Sequence, residues 1–305
     1  MNKISYIDLH MHSVISDGSD TLPELLQKVR KEGIELFSLT DHDAIRGSVE
    51  MRALLETNSE GEALPLFIPG VEFSCKDEDG KYHILGYAYD PDAPAIAEVV
   101  AKGHGYRMKK VRARLTYIKE EFGFVFPDEE IEKLMALNNP GKPHIANLMV
   151  KFGYAGSKKE GIDNYLNKIH FKSEYVRPEE AIDGILRAGG IPVLAHPAYG
   201  SGDELILGDE MEIRLKKLMG FGIQGIEAYY SGFTEKIRGQ MLALAERHAL
   251  YVTAGSDYHG TNKIVRLGDT GLERVYDGPE SMQRFLADAM SATQQRQRET
   301  GKNEV

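Results

Sequence analysis

The chain has 305 residues, 42% of them apolar and 28% charged, a formal net charge of −10, and one cysteine. That is a soluble globular balance, and its acidity argues against non-specific coating of long nucleic acid. No apolar run approaches the ~20 residues that cross a bilayer, and the lone Cys75 excludes an internal disulfide, making a reducing cytoplasm the expected compartment. The first residues carry no long apolar core, so a signal peptide is not expected. The length suits one large α/β barrel or two ordinary domains and leaves the oligomeric state open.

Strand and helix signals alternate at the start. Residues 4–9 predict a strand, and Thr21-Leu22-Pro23-Glu24 opens a helix with a capping box and a proline in its first turn. Residues 35–39 predict a second strand, followed by a helix over about 44–56. Residues 66–74 and 82–89 predict two β segments around the acidic, glycine-ended link at 77–80, which reads as a hairpin or tight turn. From 102 to 171 the rhythm changes to helix after helix, over 105–122, 128–137, 143–151 and 158–170. Val111, Leu115, Ile118 and Phe122 share one face of the first, and the region is expected to be a small all-helical insertion. Alternation then resumes, with helices at 178–188, 210–219 and 234–248 and strands at 191–194, 224–228 and 251–254. Repeated strand–helix units predict a parallel sheet with helices outside. The polar residues from Thr293 predict a frayed tail. The expected division is 1–101 and 172–292 as two parts of a barrel, 102–171 as the insertion, and 293–305 as the tail.

Histidines and carboxylates gather where apolar runs end. The motifs are Asp8-Leu9-His10-Met11-His12, Thr40-Asp41-His42-Asp43, Ala195-His196-Pro197 and Ser256-Asp257-Tyr258-His259. Asp17 follows the first, in the loop Ser16-Asp17-Gly18-Ser19, and Glu72 and His83 lie between the second and third. On a strand, His10-x-His12 puts both imidazoles on one face, because side chains alternate with period two; Asp257-x-His259 repeats that geometry. Asp17 alone would read as a turn aspartate. Asp43 is expected to cap the next helix and Asp41 to orient an imidazole, leaving His42 as that motif's ligand. Glu72 stands among Phe67, Ile68 and Phe73, where an acid is costly unless paired or bound to a cation. Every candidate except His83 falls at or just beyond a predicted strand's C-terminal end, the rim where barrel enzymes build active sites. Packing gives no reason to gather these residues there, so a site for more than one metal ion is expected.

These motifs resemble the polymerase-and-histidinol-phosphatase (PHP) superfamily of metal-dependent phosphoesterases. The resemblance also runs through Gly70-Val71-Glu72, His83-Ile84-Leu85-Gly86 and Gly255-Ser256-Asp257-Tyr258-His259, in family order. The insertion is similar to that of one branch, the nucleoside 3′,5′-bisphosphate phosphatases and the bacterial 5′-to-3′ exonucleases acting on very short RNAs. The resemblance implies a distorted (β/α)7 barrel. It implies His10, His12, Glu72 and Asp257 around a first metal, with Glu72 bridging to a second held by His83 and His196. Asp17, His42 and His259 would form a third site, giving two or three divalent ions. An all-nitrogen-and-oxygen set suits Mn²⁺, Fe²⁺ or Zn²⁺, and the resemblance favours Mn²⁺. Paired ions lower the pKa of a bridging water and clamp phosphoryl oxygens. Glu72, Asp257 and His259 form the expected catalytic set, the leaving oxygen being served by a metal or by a proton from His259 or water.

In the insertion, Gly141-Lys142-Pro143-His144 begins a predicted helix, whose N-terminus offers N–H groups to phosphate. Lys142 and His144 add side-chain donors. Arg107 and Lys110 share a helix face and complete the expected phosphate-binding set, Lys110 as a point charge rather than a bidentate fork. Lys109, Arg112 and Arg114 read as solvated surface, Tyr199, Tyr229 and Tyr230 as rim or core packing, and His104, His170 and His248 as structural. The leading expectation is removal of the 3′-phosphate from nucleoside 3′,5′-bisphosphates. The alternatives are exonuclease action on short 5′-phosphorylated oligonucleotides, histidinol-phosphate hydrolysis, and a non-catalytic metal-binding module. The expected partner is thus a small phosphorylated molecule, with no long nucleic acid and no membrane.

Overall fold

The computed structural model describes residues 4–57, 64–137, 139–169, 174–200 and 204–303. Its first strands are short: β1 (Ile7–Asp8), β2 (Leu36–Phe37) and β3 (Leu66–Phe67) pair in parallel, in that order. A second sheet follows the order β4 (Gly70–Lys76), β5 (Lys81–Tyr87), β6 (Ile191–Leu194), β7 (Gly225–Tyr230) and β8 (Tyr251–Gly255). The single strand expected over 66–74 is therefore split between two sheets. Hydrogen bonds join the sheets on both sides. Leu9 N donates to Ala254 O at 3.0 Å and His12 N to Tyr258 O at 2.8 Å; opposite, Asp43 N donates to Glu72 O at 2.8 Å.

The all-parallel expectation needs correction at β5, which runs antiparallel to both β4 and β6. The turn at 77–80 enforces the reversal: Asp77 N donates to Gly80 O at 3.0 Å, and Asp77 Oδ1 accepts from Asp79 N at 2.9 Å. Reversal has a functional consequence. His83 stands near the start of β5, yet faces the same rim as the C-terminal ends of the parallel strands.

Helices cover the sheets. α1 (Leu22–Lys31) opens with Thr21 N donating to Glu24 Oε2 at 2.8 Å and buries Leu22, Leu25, Leu26 and Val29. Together with α2 (Arg46–Thr57) it covers Phe37 and Leu39, each fully buried side chain contributing about 1.5–3 kcal/mol. α3 (Pro94–Phe122) is one continuous helix, so the boundary expected near 102 falls inside it. Its first turns place Ile96 and Val99 in the main core, and its later turns place Val111 and Ile118 in a separate core within the insertion. That second core is completed by Leu134 of α4 (Asp128–Met135), by Ile145 and Met149 of α5 (Lys142–Lys151), and by Leu166. The helix expected over 158–170 is shorter: α6 (Lys158–Glu160) passes into a π-turn at Gly161–Tyr165 and a 3₁₀ turn at Leu166–Lys168. His170 lies outside the described residues.

α7 (Pro178–Arg187), α8 (Gly208–Phe221), α9 (Glu235–Arg247) and α10 (Glu280–Asn303) pack on the main core. Of the frayed tail expected from Thr293, residues 293–303 are instead the last part of α10. Thr293 is buried and Arg296 Nη2 donates to Gly189 O at 2.6 Å, so its polarity marks a solvated helix face. No helix among the described residues is long and apolar enough to cross a membrane.

Candidate metal centre

Glu72 sits at the centre of the rim with no exposed surface. Its Oε2 lies 3.3 Å from His10 Nε2, 3.2 Å from His12 Nε2 and 3.0 Å from His42 Nδ1. Its Oε1 lies 2.9 Å from His83 Nδ1 and 3.2 Å from His196 Nε2. Asp257 Oδ1 approaches His12 Nε2 at 3.3 Å and His10 Nε2 at 3.6 Å. Asp17 Oδ1 is 3.3 Å from His259 Nε2, and Asp17 Oδ2 is 3.9 Å from His42 Nε2. All nine residues expected as ligands thus converge.

The arrangement fits cations better than it fits hydrogen bonds. His10 Nε2, His12 Nε2, His42 Nδ1, Asp17 Oδ1 and Glu72 Oε2 are buried without a hydrogen-bond partner, although oppositely disposed atoms stand close by. Such orphaned atoms are costly, and here they aim at shared space. Three overlapping groups have ligand atoms within 4.8 Å of one another: His10, His12 and Asp257; His42, Glu72 and His83; and His12, Asp17, His42 and His259. His12 and His42 each stand in two groups, whereas the resemblance assigned each of them to one site.

The electrostatics follow from packing imidazoles against carboxylates out of water. Burial pushes the Glu72 carboxyl up, but His83, His42 and His10 outweigh it and hold the group well below the usual carboxylate range. Burial opposes charge on Asp257 too, and His10, His12 and Lys263 overcome it. Conversely, burial disfavours charge on His12, yet Asp257 and Glu72 raise it to about 9. At His42 burial prevails over Glu72 and Asp17, lowering it to about 3. His10, also raised well above its usual range, and His12 thus answer the carboxylates as imidazolium ions, and ligation requires those protons to leave.

Several supporting residues carry this geometry. Asp8 accepts from Ser256 N at 2.9 Å, Ser256 Oγ at 2.6 Å and Gly268 N at 2.8 Å, tying β1 to the loop after β8. Asp41 accepts from Ser13 N at 2.8 Å and Ser16 Oγ at 2.6 Å, and Ser16 Oγ faces His12 Nδ1 at 3.4 Å. Asp41 therefore reaches an imidazole through a serine. The cap expected of Asp43 is not made: α2 starts at Arg46, while Asp43 accepts from Ser74 N at 3.0 Å and from Arg107 Nη2 at 2.5 Å. Gly103 lets α3 approach, since a Cβ there would stand 3.3 Å from Asp43.

Sequence reasoning missed Glu227, which is fully buried on β7 and bonded to His10 and His196. The signal existed, because Gly225-Ile226-Glu227-Ala228 places an acid in an apolar strand as Glu72 does. It also missed Lys263, paired with Asp257 Oδ2, for which no sequence signal exists. Tyr230 OH donates to Asp257 Oδ2 at 3.0 Å, and Tyr199 and Tyr230 line the centre's pocket of about 300 Å³. Tyr229 is buried in the core, and His248 stands 3.3 Å from Glu212, remote from the centre.

A second cleft of about 270 Å³ adjoins this pocket, sharing Asp17 and His83 with it. Lys81, Arg107, Lys110, Arg114 and Lys142 line it. Arg114 thus faces the cleft, against the solvated role expected for it, because positions 107, 110 and 114 fall on one helix face. Lys109 does lie at the surface, pairing with exposed Glu174 at 2.7 Å, and Arg112 is exposed. Lys110 Nζ stands 3.2 Å from the centroid of the Tyr175 ring. Burial first, then Arg107, pushes its pKa down to about 7. Lys142 Nζ donates to Asn167 Oδ1 at 2.7 Å. His144 is not among the lining residues; its Nδ1 accepts from Gly141 N at 3.1 Å, and burial lowers its pKa.

The model of the PHP domain family matches residues 8–180, and the chain belongs to that family. It is 29% identical over 264 residues to the phosphoribosyl 1,2-cyclic phosphate 1,2-diphosphodiesterase of Eggerthella lenta, covering 83% of this chain and 94% of that one. It is 29% identical over 263 residues to the 3′,5′-nucleoside bisphosphate phosphatase of Chromobacterium violaceum, covering 83% and 87%. With the 5′-3′ exoribonuclease Rnm of Escherichia coli the identity is 30% over 287 residues, covering 88% and 92%. A crystal structure from Bifidobacterium adolescentis, described as a metal-dependent phosphoesterase, superposes with a TM-score of 0.77 at 27% identity, covering 92% and 96%. The protein is a PHP-type metal-dependent phosphoesterase with a mixed α/β fold.

Proposed function

We propose that this enzyme removes the 3′-phosphate of nucleoside 3′,5′-bisphosphates. The observation that carries the reading is the adjacency of the metal centre to a basic cleft, the two sharing Asp17 and His83. A small molecule with two phosphates can offer one group to each. On this reading two or three divalent ions, Mn²⁺ by preference, are held by His10, His12, Asp17, His42, Glu72, His83, His196, Asp257 and His259. Bound there, such ions supply Lewis-acid charge to the phosphoryl oxygens and lower the pKa of an attacking water. Glu72 orients the imidazoles around it, and Tyr230 holds Asp257 through its hydroxyl. His259 Nδ1 faces the Asp257 carbonyl at 2.9 Å, which leaves Nε2 as the atom for a ligand bond or a proton. Arg107, Lys110 and Lys142 bind the non-scissile phosphate, with His144 shaping the α5 terminus.

In this proposal the two sheets form a distorted (β/α)7 barrel contributed by residues 1–101 and 172–292, and residues 102–171 cap the substrate. Buried Cys75, its thiol pKa raised by burial, suits a cytoplasmic setting. One observation favours exonuclease action on short 5′-phosphorylated oligonucleotides as a second reading. The cleft's cations run from Arg107 to Arg114, about 10 Å along α3, more than one phosphate needs. A screen with Mn²⁺ that follows both inorganic phosphate and released 5′-mononucleotide tests both. Its arms are adenosine 3′,5′-bisphosphate, a 5′-phosphorylated trinucleotide, phosphoribosyl 1,2-cyclic phosphate and histidinol phosphate. Preference for the first arm is expected; a clear preference for any other replaces this reading.

Lys110 adds a pH dependence. Its pKa is depressed to about 7 by burial and by Arg107, Arg114 and Lys81, with Asp43 opposing. It is charged below that pH and neutral above it. The ratio of bisphosphate KM to 3′-monophosphate KM should therefore rise between pH 6.5 and 8.5, on the order of threefold to tenfold. Lys110→Arg, which stays charged, should flatten the rise. Parallel profiles would remove Lys110 from the phosphate site.

A further inference from the structure

Glu227 has no exposed surface, and both of its oxygens are engaged. Oε1 lies 2.9 Å from His10 Nδ1, and Oε2 accepts from His196 N at 2.8 Å. These partners serve different parts of the centre. His10 stands with His12 and Asp257, whereas His196 Nε2 lies 3.2 Å from both Glu72 Oε1 and His83 Nδ1. We propose that Glu227 is a positioning residue for two metal subsites at once, setting the His10 ring through one oxygen and the His196 backbone through the other.

The chemistry of each contact supports this role. A carboxylate can only accept, so His10 presents a hydrogen on Nδ1 to Glu227, and Nε2, facing Glu72 and Asp257, is the ring nitrogen that can give up its proton to a cation. His10 Nε2 is buried without a hydrogen-bond partner, as a ligand atom awaiting a cation would be. His196 has a φ of 26°, a backbone conformation that non-glycine residues adopt only when their surroundings impose it. The bond from its N–H to Glu227 is one such constraint. β8 presses on the same pair: a Cβ on Gly255 would stand 2.2 Å from His10 Cβ and 2.5 Å from Glu227 Oε1. The ring and the carboxylate therefore have little room to turn.

The inference rests on the metal-dependent reading and not on the choice of substrate. It is tested by equilibrium dialysis of the purified holoprotein against graded Mn²⁺ buffers, with metal content from elemental analysis and melting temperature in excess chelator. Glu227→Gln keeps the volume, but its amide NH₂ faces a donor at one of the two contacts. Glu227→Asp keeps the charge but is one methylene too short to span both. Each variant should lose about 10- to 100-fold in Mn²⁺ affinity in two binding events, with the chelated melting temperature of at least one variant close to wild type. Nitrogen-15 spectra of Zn²⁺-loaded Glu227→Gln should lose the single Nδ1–H tautomer of His10. Unchanged affinity, loss in one event only, or unfolding of both variants in chelator would overturn the proposal. Failure of the wild type to bind Mn²⁺ would overturn the metal reading beneath it.

Discussion

Glu72→Gln should abolish turnover and strip metal while leaving the fold intact. The carboxylate meets His10, His12 and His42 through one oxygen and His83 and His196 through the other. Glu227 also spans the two sides, but it reaches His196 through the backbone N–H rather than the ring. Glutamine has nearly the same volume, so Val71 and Phe73 keep their packing, and the pairing of residue 72 with Leu85 involves only backbone. The substitution removes the charge and turns one acceptor into a donor facing imidazole nitrogen. A fall of at least about a thousandfold in kcat/KM is expected, ~4 kcal/mol in transition-state terms. Phosphate release, elemental analysis and far-ultraviolet circular dichroism on one preparation test this. Near-normal turnover with full metal occupancy would remove Glu72 from the bridging role.

The legible parts of the site were those in which local period and chemistry agree. His10-x-His12 needs only the two-residue repeat carried just past β1, and Glu72 only the cost of an acid in an apolar run. Asp257 and His259 lie beyond β8, Asp257 with a left-handed φ of 58°, so the strand repeat expected for them does not hold and the loop aims both side chains. Glu227 met the second test equally well, but no neighbouring histidine in sequence draws attention to it. Its partners, His10 and His196, are brought to it by β-sheet pairing. His83 shows the opposite case. The resemblance implies a ligand role for it, but its place on the rim follows only from β5 running antiparallel to its neighbours. At Arg114 and beyond Thr293 the sequence offers only polarity. Polarity does not distinguish a charge facing solvent from one facing a cleft, nor a solvated helix face from a frayed end. Those distinctions rest on tertiary contacts such as Arg296 with Gly189 O.

Arg107→Ala should reduce kcat/KM for a 3′,5′-bisphosphate far more than for a 3′-monophosphate. Arg107 lines the cleft beside the metal centre, and its Nη2 is held by Asp43 Oδ2 at 2.5 Å, with Ser74 Oγ at 3.5 Å. This tether fixes the guanidinium before substrate arrives, so little side-chain entropy is lost when a phosphate docks. A charge-assisted contact of this kind contributes roughly 1.5–3 kcal/mol, on the order of ten- to hundredfold in kcat/KM. His144→Ala should cost less, because His144 Nδ1 is engaged with Gly141 N and burial favours the neutral ring. The monophosphate has no group for the cleft and should change little with either variant. Loss of the Arg107 tether also frees Asp43, which still bonds Ser74 N and stands beside His42. Disturbance of the metal centre through that route would lower both substrates equally. Equal losses would therefore sink the phosphate clamp and leave Arg107 as a strut between α3 and the rim, whereas selective loss assigns the cleft to the second phosphate.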